Sequence, residues 1–270
     1  MFDDEATAPT LAALADSAEA GLFAPSGVPR LVASVWPRPY NGPEAFLPVA
    51  RPILNHQHTH PGDTICVLAD YQILLSSREH ASRADAVYDT AAALLALGVD
   101  PRNTSLCRES DIAPLPEIYW LLSCVLRLPP PPGVEPSPAL RGEEDEARER
   151  SLFLAAIAAG LGATRLVLDP AAPDQNPSFV PLLREVERRL NHGPNPTQVF
   201  GEPAADWPAP SGVTPDLRSA GARYDAIRHN PAFLRDVLNE GALAASAISS
   251  PAITRLREYL HLGDGGTSCP

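Results

Sequence analysis

Residues 68–125, LADYQILLSSREHASRADAVYDTAAALLALGVDPRNTSLCRESDIAPLPEIYWLLSCV, decide the fold, because a helix-period segment stands there between two short apolar runs. The first run, Thr64 to Ala69 (TICVLA), has the continuous apolar character of a strand buried on both faces. The pattern Ser82-x-x-Asp85 then opens a helix as a capping box, and Ala84, Val87, Tyr88, Ala91, Leu94 and Leu95 fall on one face of it. Gly98 stands where a helix C-cap requires a left-handed residue. Thr104 to Cys107 is the next strand, and Pro116 starts an apolar helix through Trp120 and Leu122. Strands alternating with helices of this length imply parallel strands joined by right-handed crossovers, hence an open, Rossmann-like doubly wound α/β sheet.

The same alternation extends in both directions. Upstream, Leu31 to Trp36 is a strand stopped by Pro37 and Pro39, and a helix follows with Pro43 in its first turn and runs to Leu54. Downstream, Pro129 to Glu146 holds four consecutive prolines and an acidic run, which reads as an exposed loop. A helix over Ala147 to Leu161, a strand over Arg165 to Leu168 and an Arg-rich helix over Phe179 to Leu190 come next. The expected organisation is an N-terminal extension (1–29), the nucleotide-type fold (30–192), a Pro-rich connector (193–215), a short C-terminal helical appendage (216–262) and a disordered tail (263–270). Pro231 is expected to break the appendage into two helices, and Pro251 to add a further break.

Composition excludes several kinds of chemistry. All 21 basic residues are arginine, so mechanisms needing a P-loop lysine or a lysine Schiff base are ruled out. The net charge of -12 disfavours a broad grip on tRNA or any other phosphate backbone. No apolar run approaches a membrane span, and the first residues do not resemble a signal peptide, so the expected location is the cytoplasm. Cys66, Cys107, Cys124 and Cys269 show no CxxC pairing and read as reduced.

The central stretch resembles the nucleotide-binding fold of tryptophanyl-tRNA synthetases. Gly98-Val99-Asp100-Pro101 matches the family's GIDP-like turn, and Trp120-Leu121-Leu122-Ser123-Cys124 its W-x-L-x-C helix. Asp174-Gln175 resembles the family's GEDQ segment, and ARYDAIRHNPAFLRDVLNEGALAAS (222–246) its last helical pair. The resemblance implies a class I synthetase fold, truncated and degenerate. At the place of the HIGH signature stand Gly42, Pro43, Glu44 and Ala45, with a carboxylate where phosphate should approach, and a Pro-rich connector replaces the KMSKS loop. Neither ATP nor another cofactor is expected.

The resemblance also locates a ligand pocket around Trp36, Asp70, Gln72, Glu109, Phe153, Gly160, Asp174 and Gln175. Counting back from Asp174, Gly160 replaces the indole-reading Asp and Phe153 the Tyr that holds the amino group. Trp36 fills part of the same cavity, Gln72 stands where the family often has His, and Glu109 where it has Gln. Loss of a buried acceptor removes selectivity for tryptophan. The implied function is a synthetase-like protein of specialised biosynthesis that no longer activates its amino acid. It would bind a small amino-acid-like ligand or act as a partner subunit, in a homodimer or a heteromeric enzyme. The alternatives are ATP-independent acyl or aminoacyl transfer from an activated donor, and a noncatalytic structural or regulatory role.

Three other groupings compete for attention. His56, His58 and His60 alternate on an apparently extended segment and form a metal candidate, with a solvated loop as the rival reading. Glu143, Glu144, Asp145 and Glu146 read as a solvated helix start. Arg184, Arg188 and Arg189 share one helix and read as a solvent face.

Overall fold

The computed structural model describes residues 29–76, 82–127, 145–172, 198–200 and 217–262. The N-terminal extension, Asp174 and Gln175, Glu143 and Glu144, the Arg184/Arg188/Arg189 helix and Cys269 lie outside the described residues.

Among the described residues, five parallel strands form one sheet: β1 (Leu31–Val35), β2 (Thr64–Leu68), β3 (Thr104–Arg108), β4 (Arg165–Leu168) and β5 (Gln198–Phe200). Their order is β3-β2-β1-β4-β5. The chain therefore steps outward from β1 to β3, then returns to β1's other side, which places the topological switch point between β1 and β4. Ligands of doubly wound sheets bind outside the strand carboxyl ends at such a point. Strand β5 falls within the interval expected to be only connector. Its three residues pair with β4 in register, Leu166 opposite Val199.

The strands alternate between two cores, as a sheet covered on both faces requires. Val32, Ile65, Val67, Cys107 and Leu166 face one cluster, with helices α4 (Leu115–Arg127) and α5 (Asp145–Gly160). Leu31, Ala33, Val35, Cys66, Leu68 and Leu106 face the other, with α1 (Leu47–Thr59) and α3 (Ser82–Ala96). A short helix α2 (Asp70–Ser76) follows β2 directly. The turn after α3 has Gly98 at φ 107°, with Gly98 N–H on Leu95 O and Val99 N–H on Leu94 O, a Schellman-type end that needs a residue without a Cβ. Gln57 of α1 holds the following loop, donating to Gly98 O at 2.9 Å and accepting from Asp100 N–H and Thr104 Oγ1.

The C-terminal helices are α6 (Leu217–Arg228) and α7 (Pro231–Tyr259). Pro231 opens α7 at its first turn, after Asn230, whose side chain accepts the Phe233 N–H. The break expected at Pro251 does not occur, and α7 continues through it. Helix α7 supplies Leu234, Val237 and Leu238 to one core and Ala242, Ala245, Ala252, Ile253 and Leu256 to the other. Gly241 sits between these sets, against the edge strand: a Cβ there would meet the Leu106 carbonyl oxygen at 2.1 Å. Only glycine lets the helix approach the β3 backbone this closely.

Cys66 and Cys107 are fully buried free thiols, and burial pushes both further from ionisation. Among the described residues, no helix is long and apolar enough to cross a membrane.

Candidate functional site at the strand carboxyl ends

Residues immediately beyond β1, β2, β3 and β4 meet along one edge of the sheet, and they separate into two differently built halves. At the switch point, Asp169 follows β4 and is 2% exposed. Its carboxylate accepts the Arg38 guanidinium, the Trp36 N–H at 3.1 Å and the Ala171 N–H at 3.0 Å. Arg38 also donates to Trp36 O at 3.1 Å and to Ala45 O at 2.8 Å, and its guanidinium lies 4.3 Å from the centre of the Phe46 ring. One cation thus ties β1, β4 and the turn Pro43–Phe46 together, with every stated contact made to protein.

The loop carrying Arg38 is pinned from the side as well. Thr90 of α3 accepts the Arg38 N–H and donates to Arg38 O. Tyr40 stacks on Tyr224 of α6 at 3.6 Å between centroids. Tyr224 donates to Asp89, which also takes Arg228, and burial followed by that bond pushes the phenol up to about 12. Glu44 lies exposed in the first turn of the 3-10 segment that leads into α1. A carboxylate there suits the helix dipole and opposes an incoming phosphate.

The second half lies beyond β2 and β3. Asp70 accepts the Ser110 N–H at 3.0 Å and the Ser110 hydroxyl at 2.6 Å. Glu109 is 1% exposed, and its carboxyl faces the backbone N–H groups of Tyr71 and Gln72 and the Gln72 amide. Burial, then the neighbouring Asp70 charge, holds Glu109 well above the usual carboxylate range. Asp70 is raised mainly by burial against the Ser110 bonds that lower it. Two buried atoms here, Gln72 Nε2 and Glu109 Oε2, have no hydrogen-bond partner among the described residues. Beside them, Phe153 of α5 stacks on Tyr119 of α4 at 4.4 Å and on Tyr71 at 6.0 Å. Tyr119 donates its hydroxyl to Glu149, which burial raises.

Of the expected pocket residues, Asp174 and Gln175 lie outside the described residues, and the others are placed as follows. Trp36, Asp70, Gln72 and Glu109 stand at successive strand ends, and Phe153 joins them through Tyr71. Gly160 does not. It packs within the helical layer, where a Cβ would meet Leu115 Cδ2 at 2.8 Å and Ile118 Cδ1 at 2.9 Å. The neighbouring Leu161 carbonyl accepts Arg30 from just before β1, at the amino ends of the strands. Gly160 therefore sits in a close helix contact.

The histidines are corrected too. His56 and His58 belong to α1 and His60 is its C-cap, so the segment is helical and His58 points to solvent while His56 is buried. His56 Nδ1 is 2.9 Å from Thr64 Oγ1, and its ring stacks on His60. Burial, then the positive charges of His60 and Arg165, lower its pKa to about 4. Among the described residues, no group of three or more His, Cys, Asp or Glu converges as a metal site.

Arg38, Asp169, Tyr71, Tyr119 and Glu149 were missed from sequence. Asp169 and Arg38 were within reach, since each lies within three residues of a strand's carboxyl end, where doubly wound folds place their functional side chains.

These features define a Rossmann-like doubly wound α/β fold with a crevice at its strand ends. No protein-family model matches the chain. It is 30% identical over 176 residues to the tryptophan–tRNA ligase of Streptococcus agalactiae, covering 63% of this chain and 51% of that ligase. It is 41% identical over 68 residues to the ligase of Bordetella pertussis, covering 25% of this chain and 15% of the other. The matched regions thus span about half or less of these curated relatives. Tryptophanyl-tRNA synthetase from Campylobacter jejuni, in complex with ADP and tryptophan, superposes with a TM-score of 0.65 at 13% identity, covering 86% of this chain and 99% of the other. The enzyme from Mycoplasma pneumoniae gives 0.63 at 10% identity. The chain resembles tryptophanyl-tRNA synthetases in sequence and shares their fold.

Proposed function

We propose that this chain is a tryptophanyl-tRNA synthetase-like protein that does not activate an amino acid with ATP, and that its strand ends bind a small amino-acid-like ligand in specialised metabolism. The observation that carries this reading is the Arg38–Asp169 pair across the switch point. Stabilising a pyrophosphate leaving group requires cations free to meet developing negative charge. Arg38 at the switch point is paired with Asp169 and bound to two carbonyls, Glu44 adds an opposing charge, and the sequence has no lysine.

The test is ATP–pyrophosphate exchange across the twenty amino acids. No exchange above background is expected, and robust exchange with any of them would sink the proposal. Trp120, 61% exposed on α4, supports a face for a partner subunit, either a second copy or another enzyme. Sedimentation of the full chain, with Trp120→Glu as a variant, reads that directly.

A further inference from the structure

We infer that the Arg38 guanidinium and the backbone N–H groups of Trp36 and Ala171 form a cradle for a small carboxylate, and that Asp169 fills it as a plug built into the chain. This rests on the reading above, that the strand ends form a ligand crevice. It specifies which end of a ligand the β1/β4 half excludes in the native protein, the anionic one.

The donors are those an anion site needs. One cation and two backbone N–H groups are aimed at a single carboxylate, and such sets hold carboxylate oxygens by charge-assisted bonds. The occupant comes from the chain itself: the Asp169 side chain is 1% exposed, and its oxygens are taken up by these three donors.

The cradle is held largely by contacts that do not involve the Asp169 side chain. Thr90 fixes the backbone of Arg38 on both its N–H and its carbonyl. The guanidinium also reaches Trp36 O and Ala45 O and lies against the Phe46 ring. Tyr40, two residues on, donates its N–H to Asp89 and stacks on Tyr224. Main-chain bonds set the remaining donors: Asp169 N–H on Ser34 O, Ala69 N–H on Val35 O and Ala172 N–H on Asp169 O, all of which a different side chain at position 169 preserves. Donors preset in this way stay in place when the carboxylate is deleted. A mostly buried guanidinium that has lost its partner then favours any small anion able to replace it.

Chemical rescue tests this. Asp169→Ala deletes the carboxylate and leaves room for formate, which is the deleted group as a free ion. Thermal unfolding of the full chain is compared in formate and in chloride at equal ionic strength. Formate at about 0.2 M should raise the melting temperature of Asp169→Ala by about 3 to 6 °C over chloride, with half-saturation near about 10 mM. The unaltered chain, whose cradle is filled, should melt alike in both salts, and so should the double variant Arg38→Met/Asp169→Ala, which lacks the cation. Should Asp169→Ala fail to fold in chloride, recovery of folded protein in formate alone is the same result. Equal behaviour of Asp169→Ala in the two salts, failure to fold in both included, would overturn the inference, as would a matching formate response from the unaltered chain or the double variant. Robust pyrophosphate exchange by the unaltered chain would defeat the functional proposal and leave the formate result standing, so the two failures are distinguishable.

Discussion

The two halves of the strand-end crevice are built on opposite electrostatic terms. Between β1 and β4, Asp169 and Arg38 bring charges of opposite sign into contact and satisfy the remaining donors with carbonyls. Beyond β2 and β3, Asp70 and Glu109 bring two carboxyl groups together and, among the described residues, leave Glu109 Oε2 and Gln72 Nε2 without partners. Both arrangements sit on the same sheet, so the contrast is set by side chains and not by the fold. A satisfied network holds a structure in place, whereas an unsatisfied one costs stability that is retained only for another reason. The first half is a brace, and the second is where a ligand has something to contribute.

The largest effect should come from breaking the brace. Asp169→Ala strands a mostly buried guanidinium and frees the Trp36 and Ala171 N–H groups, at a cost of about 3 to 5 kcal/mol in urea unfolding. A loss under about 1 kcal/mol would mean that the pair is ornamental. Next is Gly241→Ala, which pushes α7 off β3, the strand that carries Glu109. Overpacking against backbone costs about 1 to 3 kcal/mol, read from the same unfolding curves.

The second half should respond with the opposite sign. Glu109 has a folded-state pKa above its unfolded value, so its contribution is fully present below the unfolded value near 4.5 and is lost as pH rises from there toward the folded one. Glu109→Gln removes that loss and should raise the melting temperature at pH 8 by about 2 to 4 °C, with the gain shrinking toward pH 5. A lower melting temperature at every pH would place Glu109 in the brace class. The smallest effect calibrates both from the far end of the sheet. His56 is lowered to about 4, so its neutral form stabilises fully above the unfolded value of 6.5. That contribution is lost as pH falls from 6.5 toward 4. NMR titration of the imidazole should give the low value, and a normal one would show that His56 is reached by solvent.

Much of the fold was legible because period and punctuation agree. Strand β4 runs from Arg165 to Leu168 as expected, Gly98 ends α3, and the β2-α3-β3 unit follows its apolar pattern. The histidine tract misled because alternation in the sequence suggested an extended segment, while α1 continues past Leu54 and sets His56 and His58 on different faces. Pro251 misled because an isolated proline signals a break, but α7 is anchored on both sides of it by residues of one core, such as Ala245 and Ile253. Gly160 was placed by counting residues from a distant motif, and its helix contact with Leu115 and Ile118 was not visible in that count. Whether a position lines a crevice or a helix contact depends on rotation about the helix axis, which such counting does not preserve.

The seat of Gly241 on the Leu106 carbonyl has a consequence for how the protein is made. Strand β3 is an outer strand, and its free edge is covered by a helix encoded far later in the chain. On the ribosome, β1, β2 and β3 emerge with that edge bare and with both hydrophobic layers short of their closing side chains. Exposed edges template pairing with other chains, and partly folded intermediates are the species that aggregate. The span between synthesis of β3 and of α7 is therefore the period in which this edge is open to pairing with other chains.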